Sequence, residues 1–428
     1  MNLLPRFLCI PVLCAILFTT SSWAAGLWLY EQGTPDLGTA AAGRAARAND
    51  ASTAGNNPAG MTRLDRSQML AAFQGMIFES EFNLDSATFS GGDGGDAGDF
   101  IESGSFHYVQ SLSEKWKLGI SVASYFGLGV DYDDDWAGRY YVQEADLITY
   151  GINPGVGYKV NNWLSVGAGF SIAYAELEQK SAINNATAEG DPTFPDGRIK
   201  LKDDDVGYGF NLGMLFEPQA GTRLGITYRS EVELEFEDVA SISGLGPTLT
   251  AALDNLGLLG SKIDIDMNIP QAVMLSGYHQ FTGKLALMAN IGWQEWSEFG
   301  KSDITVRSTT TTKFTQDRDW DDAWHFALGA QYRIADPWLL SVGFAYDTDP
   351  VDDAENNTPD LALDRQIRYA AGLQYDWSTD ITVGVAYEFL DLGDANVNLK
   401  GGPLQGDLKG DYDPNHIHFI AVNLIWKF

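Results

Sequence analysis

Residues 415–428 alternate with the two-residue period of a β-strand: His416, His418, Ile420, Val422, Leu424, Trp426 and Phe428 share one face, Asn423 and Lys427 the other. A long apolar face ending in aromatics is what the lipid side of a membrane-spanning strand requires, with Trp426 and Phe428 at the interface girdle as the insertion signal. A sheet in a bilayer cannot leave an edge unpaired, so such a strand commits its chain to a closed barrel whose last strand pairs with its first.

The same pattern recurs along the chain. Trp116, Leu118, Ile120, Val122, Phe126, Leu128 and Val130 form one face of a segment whose other face carries Lys117, Gly119, Ser121, Ala123, Tyr125, Gly127 and Gly129. Only the first face suits lipid. Further stripes are Leu164 to Tyr174, Val206 to Phe216, Leu285 to Trp293 and Ile381 to Phe389. The periodicity predicts an all-β fold, a transmembrane antiparallel barrel of about 14 strands. Their expected spans are 65–79, 100–112, 115–131, 146–160, 162–178, 203–216, 220–237, 261–281, 283–306, 321–334, 336–347, 364–378, 380–397 and 414–428. Tight polar pairs such as Ser113-Glu114, Asn161-Asn162, Thr282-Gly283 and Ser378-Thr379 suit periplasmic turns, which places the longer connections 179–202, 238–260, 307–320 and 348–363 outside the cell.

The opening of the chain agrees with export. Residues 1–24 combine Arg6, an apolar run from Phe7 to Phe18 and small residues at Ser22 and Ala24, as a signal peptide does. That run is too short for a spanning helix, which needs about 20 residues. Both cysteines, Cys9 and Cys14, fall inside the signal, so disulfides, thiolate nucleophiles and Cys-bound metals are excluded from the remainder. A balance of 27 basic to 58 acidic residues, net −31, disfavours nucleic acid as a partner. Acid gathers at Asp131 to Asp135, Asp203 to Asp205 and Asp347 to Asp353, read as solvated extramembrane loops without calcium-loop spacing. No metal or cofactor site is expected: Gly155-Val-Gly157 and Gly207-Tyr-Gly209 lie inside alternating strands, and the five histidines share no motif.

Residues 25–64 precede the first strand, lack alternation, and are rich in Gly and Ala with scattered Arg44, Arg47 and Asp50. Their small side chains favour close packing inside the barrel, residues 65–428. The closing strand also turns Ile417, Phe419, Ala421 and Ile425 inward, which suits packing against such a plug or an apolar solute in the lumen.

Several short motifs then coincide: Leu37-Gly38, Ala42-Gly43, Asp50-Ala51 and Asn57-Pro58-Ala59 in this segment, Tyr125-Phe126-Gly127-Leu128, Asp135-Trp136-Ala137-Gly138-Arg139-Tyr140, and Thr227-Tyr228-Arg229-Ser230-Glu231-Val232. Over its whole length after the signal the chain resembles the outer-membrane transporters of long-chain fatty acids and aromatic hydrocarbons. The resemblance implies a fourteen-stranded barrel whose N-terminal hatch carries the motif Asn57, Pro58, Ala59. It also implies a third strand kinked inward, leaving a lateral opening at Phe126, Gly127 and Gly129. A Gly-x-Gly pair can interrupt ladder pairing and bend a strand, which gives such a kink a physical basis. Leu249, Leu253 and Leu256 fall at helical spacing in the loop that the resemblance makes an outer capture surface; by periodicity alone they could equally bury one another over the mouth.

The implied partners are hydrophobic small molecules, fatty acid or hydrocarbon, with outer-membrane lipid and lipopolysaccharide around the barrel and the barrel-assembly machinery during biogenesis. One departure bears on the solute. Basic residues are expected near a carboxylate, yet the corresponding stretches read Tyr174-Ala175-Glu176-Leu177-Glu178 and Trp320-Asp321-Asp322-Ala323-Trp324. Arg139 and Arg229 are candidate ligand-binding residues, with Arg333 and Arg368 as further sources of charge; without them a neutral alkane, aromatic or ester fits better. An enzyme on the barrel, a barrel-anchored adhesin and an open diffusive porin are the rival readings. The first lacks a joined Ser/His or Asp/His motif, and the plug argues against the other two.

Overall fold

The computed structural model describes residues 28–308 and 311–428. The expected signal peptide, residues 1–24, and the first three residues of the 25–64 segment lie outside the described residues. Strand segments run in the order β1 (Gln68–Ala87), β2 (Phe100–Ser111), β3 (Trp116–Ala123), β4 (Gly127–Asp131), β5 (Glu144–Lys159), β6 (Leu164–Ile183) and β7 (Gly197–Gln219). They continue with β8 (Thr222–Arg229), β9 (Val232–Val239), β10 (Ser241–Ser243), β11 (Lys262–Ile269), β12 (Ala272–Gln280), β13 (Leu285–Gln294) and β14 (Lys301–Arg307). The last are β15 (Thr311–Asp317), β16 (Ala323–Ala335), β17 (Trp338–Asp347), β18 (Gln366–Asp376), β19 (Ile381–Asp391), β20 (Val397–Lys400) and β21 (Asp407–Lys427).

Taking β3 with β4 as one interrupted strand, the wall has 14 crossings: β1, β2, β3/β4, β5, β6, β7, β8, β12, β13, β16, β17, β18, β19 and β21. Every neighbouring pair is antiparallel, and β1 pairs with β21 from Gln68↔Lys427 to Ala87↔Leu408, which closes the sheet. Alternation falls as lipid demands. Phe73, Ile77, Phe170, Tyr208, Leu212, Ile291, Val385 and Val422 are exposed on the outside, and Trp116, Trp163, Trp338, Trp377, Trp426 and Phe428 ring one end. No described helix is long and apolar enough to cross a membrane.

The strands outrun the bilayer, which about 9–11 residues suffice to cross. β7 spans 23 residues and β6 spans 20, so both stand well above it. There β9, β11, β14 and β15 form a separate four-stranded sheet that continues the wall strands β8, β12, β13 and β16 after short breaks. The expected strands 220–237, 261–281 and 283–306 are thus each broken in two, the last by a helical turn at Trp296–Phe299. The expected loop at Asp203 to Asp205 is corrected to strand: β7 carries it, and the carboxylates of Asp203 and Asp205 accept from the backbone N–H groups of Glu237 (2.6 Å) and Glu235 (2.8 Å). Side-chain acceptors here replace ladder partners for β9, whose exposed N–H groups would otherwise go unpaired.

Residues 28–64 fill the lumen, in a helical turn at Thr34–Leu37, another at Thr53–Asn56 and a 3₁₀ helix at Pro58–Arg63. Ile425, one of the four inward residues of the closing strand, packs on Ala51, Ala54 and Met61 of this segment. Ile417, Phe419 and Ala421 join the large cluster that includes Leu29 and Leu37. Packing against a plug therefore accounts for the apolar inner face of β21.

Candidate functional site

The Asn-Pro-Ala motif is explained by local chemistry. Asn57 caps the 3₁₀ helix, its Oδ1 accepting from Ala59 N (3.1 Å), and Pro58 occupies the first helical position, where a missing N–H costs nothing. Its amide reaches outward too, donating to Ala45 O (2.6 Å) and to Met214 O on β7 (3.1 Å). The wall admits this motif only because it presents glycine. A Cβ on Gly213 would sit 2.0 Å from Asn57 Oδ1, on Gly167 2.3 Å from Ala59 N, and on Gly157 2.5 Å from Pro58 O.

The plug is knotted internally by charge. Asp36, fully buried, lies 2.6 Å from Arg47 and 4.0 Å from Arg44, and accepts from Asn56 Nδ2 at 2.9 Å. Burial by itself pushes the Asp36 carboxyl up, but the two guanidiniums and the Asn56 amide outweigh it and hold the group below its ordinary value.

At the third crossing the wall opens. β2 pairs with β3 only from Phe106↔Val122 to Ser111↔Lys117, while β4 pairs with β5 and not with β2. The six β2 residues 100–105 thus face no strand on that side. At ~3.4 Å per residue the window is roughly 20 Å long, and it is closed above by Asp131 N to Ala97 O (3.0 Å). Gly127 sits at the break with φ +144°, a conformation that glycine adopts readily, and a Cβ there would lie 2.5 Å from Leu147 O. A cavity of about 140 Å³ occupies the window, lined by Leu29, Met76, Ile101, Leu147 and Ile148 with Gly127 and Gly129, and with Glu102 among the few polar groups.

The break reverses the side-chain parity of the strand. Trp116 and Leu118 face lipid as expected, but the expected lipid-facing positions of Phe126 and Val130 are corrected: both are buried inside, Phe126 against Trp296 and Phe299. Residues 124–126 leave the ladder, so a period counted through them slips by one face.

Plug residues back this window from inside and are tied to both of its edges. Leu29 N donates to Tyr125 O (3.0 Å), Trp28 forms a bridge to Phe126, and Ser105 Oγ on β2 donates to Gln32 O (2.8 Å). The tyrosine is in turn fixed by Ser121 Oγ (2.8 Å) and Asn153 Nδ2 (3.2 Å), and the Arg229 guanidinium stacks 4.0 Å from its ring centroid. A lumen cavity of about 50 Å³ lies beside them, lined by Trp28, Tyr30, Arg44, Asn56, Tyr125 and Arg229. A cavity of that size holds a few waters at most, so a long ligand must displace lining side chains.

Of the candidate cations, Arg229 faces this cavity, with Gly55 O (3.2 Å) and the Tyr125 ring as its contacts. Arg139 is held in the outer loops by Asp196 (2.8 Å), Tyr140 Oη (2.8 Å) and two carbonyls. Arg333 pairs with Asp376 (2.9 Å), near the turn at Asp336. Arg368 is buried in a network that sequence reasoning missed: it binds Asp347, Glu31 of the plug (3.2 Å) and Gln366 (3.0 Å), and Asp347 binds His325 Nδ1 (2.8 Å). The placing of Asp347 in a solvated loop is corrected accordingly, and His325, one of the five histidines without a shared motif, has a buried carboxylate partner. The alternating register of β16 to β18 carried the signal, since His325↔Asp347 and Ala345↔Arg368 are cross-strand partners, but pairing is invisible before the strands are joined.

Two further points are decided by the fold. Glu176 and Glu178 face out of the barrel and pair with Lys202 (2.7 Å each), while Ala175 and Leu177 face in, so their charge does not line the lumen. The helix Pro247–Asn255 turns its leucines inward, with Leu249 3 % and Leu253 0 % exposed and Leu256 packed against the same cluster. Of the two readings, the apolar face is covered rather than presented to solvent.

A barrel closed on itself, filled by its own N-terminal segment and interrupted on one side beside that segment defines a class: plugged outer-membrane barrels with an opening in the wall. The chain belongs to the outer membrane protein transport protein family (OMPP1/FadL/TodX), whose model matches residues 15–428. It is 28% identical over 399 residues to a long-chain fatty acid transport protein of Escherichia coli, covering 87% of this chain and 88% of that one. A solved Pseudomonas aeruginosa FadL homologue superposes with TM-score 0.85 at 22% identity, over 94% of this chain and 100% of the other. The toluene transporter TodX of P. putida gives 0.69 at 18% identity, over 94% and 99%.

Proposed function

We propose that this chain takes up long-chain fatty acids or similar hydrophobic compounds across the outer membrane and releases them sideways into the bilayer through the window between β2 and β4, gated by residues 28–64 as a hatch. The observation that carries the reading is the apolar cavity in the wall, backed by plug residues Leu29 and Gln32 that are bonded to both of its edges. A hydrocarbon chain gains ~0.8 kcal/mol per methylene kept out of water, and a route from lumen to lipid core avoids water altogether.

The lumen cavity and the window share one stretch of chain. Trp28 and Tyr30 line the cavity and Leu29 lines the window, so a ligand that displaces Tyr30 pulls on the residues bonded to Tyr125 and Phe126. Arg229 supplies a cation for a carboxylate in that cavity, and the outward turn of Glu176 and Glu178 removes the repulsion expected from that stretch. This favours fatty acid. Glu102 at the window favours a neutral hydrocarbon as the second reading. In either case the chain is a transporter with no catalytic role, set in outer-membrane lipid and lipopolysaccharide and inserted by the barrel-assembly machinery, with Trp426 and Phe428 at the interface.

Uptake of a labelled long-chain fatty acid beside a labelled neutral hydrocarbon, in Gram-negative cells lacking their own transporter, tests it. Fatty acid uptake is expected. Hydrocarbon uptake alone would select the second reading, and uptake of neither, with the barrel correctly assembled, would overturn both.

A further inference from the structure

The outward surface of the β1–β21 seam is apolar over Phe73 and Ile77 on β1 and Ile420, Val422 and Leu424 on β21, and then changes character. Beyond that band stand Glu79, His416 and His418. Ionisable groups on the lipid side are costly at the bilayer midplane and tolerated only towards the interface, so three on one patch call for a reason. Glu79 and His416 are direct cross-strand partners, and His418 lies two residues along on the same face, opposite Ile77. The His416 Nε2 to Glu79 Oε2 distance is 3.5 Å, the two imidazoles are 5.0 Å apart at 88°, and one ligand atom from each of the three residues lies within 4.8 Å of the others.

We propose that Glu79, His416 and His418 form a surface site for a divalent transition-metal ion of the zinc type, a clip across the seam that closes the barrel. Two imidazoles and one carboxylate are the donor set of zinc and its neighbours, whereas calcium and magnesium prefer all-oxygen shells. Zinc–ligand bonds of about 2.0–2.2 Å require the three donors to draw together by roughly 1 Å, within the reach of side-chain rotation at a half-buried surface site. A neighbour is placed to orient one ligand: Tyr387 Oη lies 2.7 Å from His418 Nδ1. With that nitrogen protonated and donating to the hydroxyl, Nε2 carries the free lone pair, the arrangement by which outer groups fix metal-bound imidazoles.

The test is Zn²⁺ titration of the full-length protein, purified without a polyhistidine tag in detergent micelles, read by competition with a chromophoric chelator and by the visible spectrum of bound Co²⁺. One ion per chain is expected, with affinity lowered at least tenfold in Glu79→Gln and in each of His416→Gln and His418→Gln, and unchanged in His279→Gln. Zinc should also raise the temperature at which the folded barrel converts to the slower-migrating unfolded band, in wild type and not in the triple variant; the same gel shows that each variant is folded. Failure of the folded wild type to bind at micromolar Zn²⁺, or wild-type affinity in the three single variants, would overturn the proposal.

Discussion

Gly127→Val probes the window most directly. With φ +144°, the position lies where a branched side chain costs about 1–3 kcal/mol, and its Cβ would stand 2.5 Å from Leu147 O, adding overpacking of about the same size. Inward relief is blocked, because the Leu29–Tyr125 hydrogen bond and the Trp28–Phe126 bridge hold the plug against the break. β4 is only five residues long and lacks a partner on the β2 side, so it moves that way, into the window. If only ~2 kcal/mol of the strain is relieved by this shift, the open form falls about 30-fold relative to the closed one, at tenfold per 1.4 kcal/mol. Initial rates of labelled fatty acid uptake should fall accordingly, while heat-modifiable gel mobility shows a normally inserted barrel. Gly127→Ala carries the same backbone strain with less bulk and should fall between the two. Full uptake in a correctly folded Gly127→Val protein would refute release through the wall.

Removing one of the two cations that line the lumen cavity with Arg229→Gln should weaken fatty acid binding by about 10- to 100-fold, the worth of a charged hydrogen bond at 1.5–3 kcal/mol, and leave a neutral hydrocarbon unaffected; equal losses in the two titrations would show a structural role instead. Asp36→Asn breaks the plug's buried ion pairs, at a cost of about 3–5 kcal/mol, and should raise single-channel conductance in planar bilayers from near zero; an unchanged trace would mean that the knot does not hold the plug. The wild-type plug has a matching pH dependence. Because Asp36 is held below its ordinary value, its stabilisation is complete above about pH 4 and is lost as pH falls through the lower folded-state value, so leak should appear only in strong acid. Glu176→Gln with Glu178→Gln should change fatty acid uptake by less than about twofold, as surface changes within ±0.5 kcal/mol do; a large gain would place their charge on the ligand's path.

Alternation by itself determined the barrel, its strand number and its lipid face, because side-chain parity is a property of each strand alone and lipid leaves no alternative to a closed ladder. The plug was legible for a related reason: residues 28–64 have no period and carry small side chains, and they meet glycines such as Gly157, Gly167 and Gly213 at contact distances that no larger residue permits. Where parity is interrupted, the sequence misled. Phe126 and Val130 read as lipid-facing until the break at residues 124–126 turned them inward; at Leu249 and Leu253 helical spacing left a capture surface and mutual burial equally open, and the fold chose burial. Only the tertiary structure decided which charges face the ligand's path. Arg368, Asp347, His325 and Glu31 meet from three wall strands and the plug, and Arg229 reaches the cavity beside Tyr125, because the register between strands and the docking of a separate segment bring together residues that sequence spacing holds far apart.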